Sequence, residues 1–543
     1  MGNVAVERRL GGDVVAESLA ALGASAAFGV PGVHTLAIWE GLRRLGMRSV
    51  ALRTETNSAL AADGYARVLH SPAPLLLTTG PGALNSLMGI VESASAHVPV
   101  LAIASQLPRD RMARRQGGLH EVPDQTASFT PLVKWAGRPT SCESLPGVIA
   151  EAWRRALEPP SGPVYVEIPY DLLDAPTDVP AATAADAAPP APSAPSTELL
   201  DHVAELLDGA ERPVIWAGGG VVRSGAWDEL AAVAELLQAP VATTYMGKDA
   251  IPYDHPLAVG AMCDDGPFAD LLTGSDVLLC VGTELGEWTT QQYGLRFRGR
   301  LIQIDASPER IGATFPALPV VSDAKAALAG LAQRLTRRSA DEAPTERIAE
   351  IRRRIREGQA AAGHEREHAV MDALHAGLPR NAIASVDMTV AGYWAAAHLP
   401  VYERRSFLYS LGSGALGYAV AAAVGAQVAA PERPVFTIVG DGGFMYAPQE
   451  LATIREHELP VKLLVIDDGG YGMLREIQDR RFGATYAVDL FRPDFGALAG
   501  AFGIPVRETS VDDLADSLEW ATSVDGPAIV LLPTTLQMYR PIR

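Results

Sequence analysis

Short runs that are apolar at successive positions, each bounded by Gly or Pro, recur along the whole chain. In the first third they are 74–79 (PLLLTT), 98–104 (VPVLAIA) and 164–168 (VYVEI). In the middle they are 214–216, 277–281 and 301–304, and in the last third 382–386, 435–439 and 461–466. A strand that is apolar on every residue is covered on both faces, the signature of a buried parallel sheet. Between the runs lie Ala/Leu-rich stretches of helical pattern, so the alternation predicts an α/β fold. Two stretches interrupt it. Residues 175–196 (APTDVPAATAADAAPPAPSAPS) have a composition unable to bury a core and read as a linker. The region 339–366 is charged and helical in pattern, as a bridging helix would be. The 543 residues thereby divide into three α/β domains with parallel sheets, 1–174, 197–338 and 367–543, each of ordinary domain size. No short-period repeat is visible.

Charge and cysteine content narrow the function. With 45 Lys+Arg against 64 Asp+Glu the formal charge is −19, which would be repelled by nucleic acid or an anionic membrane. The three cysteines, Cys142, Cys263 and Cys280, form no CxxC pair, which argues against a disulfide framework or structural zinc and for a reducing compartment. The first residues carry charges where a signal peptide needs its apolar core, and the longest apolar stretch, 415–430, is Ala/Gly-rich and shorter than the ~18–20 residues of a membrane span. The expectation is a cytoplasmic protein with a small-molecule substrate and neither nucleic acid nor membrane as partner.

The strongest chemical signal is in the last third. The run 435–439 ends in Gly440-Asp441-Gly442-Gly443, and the next run, 461–466, ends in Asp467-Asp468-Gly469-Gly470-Tyr471-Gly472. Either loop alone is an ordinary Gly-rich turn with an aspartate. Their spacing, one strand–helix–strand unit, is what matters: right-handed crossover brings both acidic ends to the carboxyl edge of one sheet. Two carboxylates among glycines suit a hard cation and a phosphate.

With three further segments the chain resembles the thiamine diphosphate enzymes of the acetolactate synthase and 2-oxo acid decarboxylase superfamily. These segments are Arg53-Thr54-Glu55 followed by Ala62-Asp63-Gly64-Tyr65-Ala66-Arg67, Thr78-Thr79-Gly80-Pro81-Gly82-Ala83-Leu84-Asn85, and Leu411-Gly412-Ser413-Gly414-Ala415-Leu416-Gly417-Tyr418. Its nearest likeness is to acetolactate synthase-like and 5-guanidino-2-oxopentanoate decarboxylase proteins. The resemblance implies pyrimidine-binding, central and diphosphate-binding domains in that order, thiamine diphosphate and Mg²⁺ as cofactors, and a homodimer or homotetramer with active sites at the subunit interface. It places Asp441, Asp468 and the Gly470 carbonyl on Mg²⁺, with Gly442, Gly443, Tyr471 and Gly472 beside the cofactor. Leu416 becomes the wedge between the cofactor's rings, and Gly414, Pro81 and Asn85 border the aminopyrimidine. Thr389 and Val390, in Asp387-Met388-Thr389-Val390, reach the diphosphate. Glu55 takes the position of the glutamate that hydrogen-bonds N1′ and promotes C2 deprotonation. One departure stands out: Asp467-Asp468 replaces the usual Asn-Asn, adding negative charge beside the diphosphate.

The implied reaction is decarboxylation of a 2-oxo acid through an enamine, which is released as aldehyde or ligated to an acceptor carbonyl. His120 and Glu121 fall where relatives keep a polar pair facing the cofactor, and His120 is a candidate for proton transfer. His34 and His97 read more simply as structural histidines. Met473-Leu474, where decarboxylases of this type carry a Glu, leans toward an acetolactate synthase-like carboligase acting on pyruvate. Glu284-Leu285-Gly286-Glu287-Trp288 leans away from it, because that stretch lacks the arginines that hold an acceptor's carboxylate. A silent thiamine-fold scaffold or regulator is the alternative of another class. The central Gly218-Gly219-Gly220 does not complete GxGxxG, which argues against NAD. Some relatives bind FAD or ADP there, but no residue of this chain supports FAD.

Overall fold

The computed structural model describes residues 8–188, 191, 193–339 and 342–542. Among them three six-stranded parallel sheets form, each built from one third of the chain. The first contains β1 (Ala26–Gly29), β2 (Arg48–Ala51), β3 (Ala73–Leu77), β4 (Val100–Gln106), β5 (Ala136–Gly137) and β6 (Val164–Pro169), in the order β2-β1-β3-β4-β6-β5. The second contains β7 (Pro213–Ala217), β8 (Val241–Thr243), β9 (Ala258–Gly260), β10 (Val277–Val281), β11 (Arg300–Asp305) and β12 (Leu318–Val321), in the order β12-β11-β10-β7-β8-β9. The third contains β13 (Ile383–Val386), β14 (Phe407–Tyr409), β15 (Val435–Gly440), β16 (Lys462–Asp467), β17 (Val506–Glu508) and β18 (Ala528–Pro533), in the order β14-β13-β15-β16-β18-β17. The first and third sheets thus share one strand order, and each has a switch point beside its third strand, where ligands of open α/β sheets bind.

The central strands coincide with the apolar runs to within a residue or two. β4 starts at Val100 and not at position 98, because Pro99 lacks an N–H and the Val100 N–H turns back to Val98 O at 3.0 Å. β16 starts with a buried lysine whose Nζ donates to Val524 O (2.8 Å) and Gly526 O (2.5 Å). The Ala/Pro stretch after residue 175 departs from expectation. A 3-10 turn forms at Ala184–Ala187, and Ala182 and Ala187 are buried in the core of the first sheet, where side chains this small pack without rotamer cost. The charged region after 339 contains the helix Ala343–Ala361. No helix among the described residues is long and apolar enough to cross a membrane.

The chain forms two compact units. One combines residues 1–190 with 412–432 and 447–461; the other holds the remainder, including the second and third sheets. In the first unit the helix Glu55–Leu69 packs along Tyr418–Ala429, a helix whose residues 418–428 are all buried. The axes approach closely because glycines face backbone: a Cβ on Gly64 would stand 2.2 Å from Ala422 O, and one on Gly425 1.8 Å from Ala61 O. A buried polar network ties the same pair together. Arg67 bonds Asp63 (2.6 Å) and Glu92 (2.7 Å), Tyr418 Oη donates to Asp63 (2.9 Å), and Glu92 accepts from the Ser413 N–H and hydroxyl at 3.0 and 2.5 Å. In the second unit the C-terminal segment is latched in place. Trp394 Nε1 donates to Gln537 O (2.9 Å), Met538 N to Glu476 (2.8 Å) and Ile542 N to Asp265 (3.0 Å), and the Tyr539 hydroxyl also bonds Asp265.

Candidate active site

In the first unit Glu55 is the first residue of the helix Glu55–Leu69, whose N-cap Thr54 accepts the Asn57 N–H at 3.2 Å. The helix start is held from outside by buried Glu450, which accepts from Asn57 Nδ2 (2.8 Å) and Arg53 N (3.2 Å). This leaves the half-buried Glu55 carboxylate beside the loop after β3. Asn85 Nδ2 donates to it at 3.3 Å, and a Cβ on Gly82 would stand 3.2 Å from Glu55 Oε1. Pro81 opens the short helix Pro81–Asn85 in that loop. Gly80, at φ +67°, is pressed against the next loop, where an added Cβ would meet His120 O at 2.2 Å. Its N–H donates to buried Gln125 at 2.6 Å. His120 itself adopts φ +65°, and its Nδ1 is buried with no hydrogen-bond partner. The neighbouring Glu121 turns back on its own loop to accept the Gly118 N–H at 2.8 Å. Leu416 is half-buried and follows Gly414, at φ +69°, in the turn that Glu92 grips through Ser413.

In the second unit β15 and β16 are adjacent and parallel, with Gly440 opposite Ile466, so Asp441 and Asp467-Asp468 emerge side by side. Thr389 caps the start of the helix Val390–His398 after β13, and its hydroxyl lies against Gly440: a Cβ there would be 2.8 Å from it. That helix starts at the carboxyl end of β13, which neighbours β15 at the point where the strand order reverses, a place where helix N–H groups suit a phosphate. The 468–472 loop is clamped by Arg475, which donates to Asp468 O (3.3 Å) and Gly469 O (3.2 Å), and by the Tyr471 N–H to Val488 O at 2.9 Å. A Cβ on Gly442 would meet the Tyr471 ring at 2.9 Å and Gly470 O at 3.2 Å, which places the carbonyl beside the residue that follows Asp441.

These residues fit a hard divalent cation. Asp468 Oδ1 is buried and accepts no hydrogen bond. Burial, then repulsion from Asp441, push the Asp468 carboxyl up to about 6, against the pull of Arg475. Burial also raises Asp441. Two crowded carboxylates and a carbonyl oxygen supply three hard donors of the kind Mg²⁺ takes. Among the described residues no set of three His, Cys, Asp or Glu side chains gathers to hold a metal, so the third donor here is a backbone carbonyl.

The two aspartates in place of Asn-Asn have partners that spacing did not reveal. Asp467 is buried and accepts from Arg492 Nε at 2.7 and 2.8 Å. The Arg475 guanidinium lies 3.9 Å from Asp468. Arg492 thus offsets the charge of Asp467, whereas the more distant Arg475 only partly offsets that of Asp468. Arg492 lies 25 residues from Asp467 in the chain and reaches it only through the fold. His34, which follows β1, lies beside His120, which follows β4, a neighbourhood that the sequence spacing does not show.

Three family models match the chain: the N-terminal thiamine pyrophosphate binding domain over 9–128, the central domain over 200–331 and the C-terminal thiamine pyrophosphate binding domain over 387–531. A probable 2-ketoarginine decarboxylase of Pseudomonas aeruginosa is 35% identical, over 96% of this chain and 93% of its own. A probable acetolactate synthase large subunit of Methanocaldococcus jannaschii is 32% identical, over 96% and 91%. A solved structure from Mycobacterium smegmatis, described as a thiamin diphosphate-dependent enzyme, superposes with TM-score 0.81 at 26% identity over 98% of this chain and 100% of that one. Matched along nearly its whole length, the chain belongs to the thiamine pyrophosphate enzymes, of the decarboxylase and acetolactate synthase type.

Proposed function

We propose that the protein is a Mg²⁺-dependent thiamine diphosphate enzyme that decarboxylates a 2-oxo acid and releases an aldehyde or passes the fragment to an acceptor carbonyl. The observation that carries this reading is the pairing of Asp441 and Asp468 at adjoining strand ends, with Asp468 Oδ1 buried and unbonded. Bound thiamine diphosphate supplies a carbon nucleophile and an electron sink for the departing carboxylate. Asp441, Asp468 and the Gly470 carbonyl hold the cation. Thr389 and the Val390 helix start bind diphosphate oxygens, flanked by Gly442, Gly443, Tyr471 and Gly472. Leu416 and Gly414 hold the aminopyrimidine, with Pro81 and Asn85 at its border, and Glu55 keeps a hydrogen bond on N1′. His120, with Nδ1 buried, moves a proton at the loop above Gly80. Glu121 keeps that loop's turn closed.

The carboligase reading is favoured by one observation: Met473 and Leu474 open the helix Gly472–Phe482 where an acid would assist protonation to aldehyde. Against it, the stretch 284–288 offers Glu284 and Glu287 and no arginine, although Arg310 approaches Glu284 at 3.5 Å. Release of CO₂ from a panel of 2-oxo acids, including 5-guanidino-2-oxopentanoate and pyruvate, is to be measured with and without aldehyde acceptors, in Mg²⁺ and in chelator. Aldehyde as product supports decarboxylation, and ligated product supports the second reading. No cofactor-dependent CO₂ from any acid leaves the scaffold role. The proposed homodimer or homotetramer with shared active sites is tested by mixing inactive Glu55→Ala and Asp441→Ala subunits. Recovered activity is expected, and verified heterodimers without it would contradict shared sites.

A further inference from the structure

Loops from four strands of the first sheet converge at its carboxyl edge: His34 follows β1, Thr79 follows β3, His120 follows β4 and Tyr170 follows β6. The His34 ring stacks on Tyr170, with centroids 4.5 Å apart and planes at 22°, and meets His120 edge to face at 5.6 Å. Its Nδ1 lies 2.8 Å from Thr79 Oγ1, its one hydrogen bond among the described residues.

The Thr79 contact fixes which ring nitrogen carries the proton. Ser105 Oγ accepts the Thr79 N–H at 2.9 Å and lies 2.9 Å from Thr79 Oγ1. Both groups are buried, so each hydroxyl hydrogen needs an acceptor. If Ser105 donates to Thr79, and Thr79 donates to His34 Nδ1, every hydrogen is placed. The reverse direction leaves the Ser105 hydrogen without one. His34 is therefore an acceptor at Nδ1 and carries its proton on Nε2. Burial, and then the nearby His120, lower its basicity against the weaker pull of Asp174, so the ring is neutral near pH 7.

The same loop that holds His34 through Thr79 touches His120 at Gly80 and Glu55 at Gly82 and Asn85. We propose that His34 is a substrate-binding residue whose neutral Nε2–H donates a hydrogen bond to the carboxylate of the 2-oxo acid, beside His120. The inference rests on the reading given under Proposed function. A neutral donor is the chemically useful choice. An imidazolium would stabilise the carboxylate charge that disappears as CO₂ leaves, favouring bound substrate over the transition state.

The test begins with wild type, which must first release CO₂ from some 2-oxo acid; failure there sinks the parent reading. With that acid, His34→Phe keeps the ring and its stack on Tyr170 but removes the donor. KM should rise about 10–100-fold, the loss of one hydrogen bond to a charged group, with kcat changed less and cofactor affinity unchanged. His34→Gln, which restores an N–H, should recover part of the loss. Unchanged KM in His34→Phe, with cofactor bound, overturns the inference while leaving the parent reading standing. A second readout needs no turnover: in ¹⁵N-histidine-labelled wild type the His34 Nδ1 should resonate as an unprotonated ring nitrogen, and Thr79→Val should shift it. A protonated Nδ1 would equally overturn the proposal.

Discussion

Glu55→Gln should slow exchange of the cofactor C2 hydrogen by about 10²–10⁴-fold, the usual size of a general acid–base contribution, with little change in cofactor affinity. The carboxylate lies by the Gly82–Asn85 loop and far in sequence from the cation donors, so its effect belongs to activation and not to docking. Hydrogen–deuterium exchange followed by NMR on the bound cofactor reads this directly, and wild-type exchange in the variant would make Glu55 an ordinary surface acid. At the cation, calorimetry should show that Asp441→Ala abolishes Mg²⁺-dependent cofactor binding, whereas Asp468→Asn leaves it unchanged or tighter, because an amide oxygen still ligates and the repulsion from Asp441 is gone. Arg492→Gln should cost about 1–3 kcal/mol of stability in a denaturant titration by leaving the buried Asp467 carboxylate with weaker partners. Adding Asp467→Asn to it should restore most of that loss.

At the scale of elements, the helix pair in the first unit is the most sensitive contact. Gly425→Ala drives a Cβ into Ala61 O, and the expected cost is about 1–3 kcal/mol, seen as a lower Tm. Arg67→Ala should cost about 3–5 kcal/mol, since it strands Asp63 and Glu92 in the interior. Legibility in the sequence follows burial. β10 is read residue for residue from VLLCV and β15 nearly so, because a strand covered on both faces must be apolar throughout. The edge strands β2 and β17, half-exposed and short, carry no such pattern and are invisible in the chain. The 469–470 glycines survive as text because both hold positive φ, and a Cβ on Gly470 would also stand 2.2 Å from Val488 O. The tertiary partners of Asp467 and His34 do not, since they are joined only by the fold.

For the whole molecule, the latch of the C-terminal segment ties stability to pH. Burial above all pushes Asp265, which holds Tyr539 and Ile542, up to about 7. A carboxyl whose pKa is higher in the folded than in the unfolded chain favours folding fully below the unfolded value, and the benefit is lost as pH rises through about 7. Asp265→Asn should flatten the fall in Tm between about pH 5 and 7 and raise Tm at pH 8; a parallel shift at every pH would show that the carboxyl does not titrate in this window. The division of the first unit has a different consequence, one of timing. Its helix Glu55–Leu69 lies early in the chain, yet the helix that covers it is not synthesised until the whole second sheet has been made. On the ribosome the nascent N-terminal third must wait with an alanine-rich face bare, at the stage when exposed apolar surface is most open to aggregation. A fragment ending near residue 190 should therefore sediment as aggregate unless a peptide spanning 412–432 is supplied, and equal solubility without it would show that the bare face is tolerated.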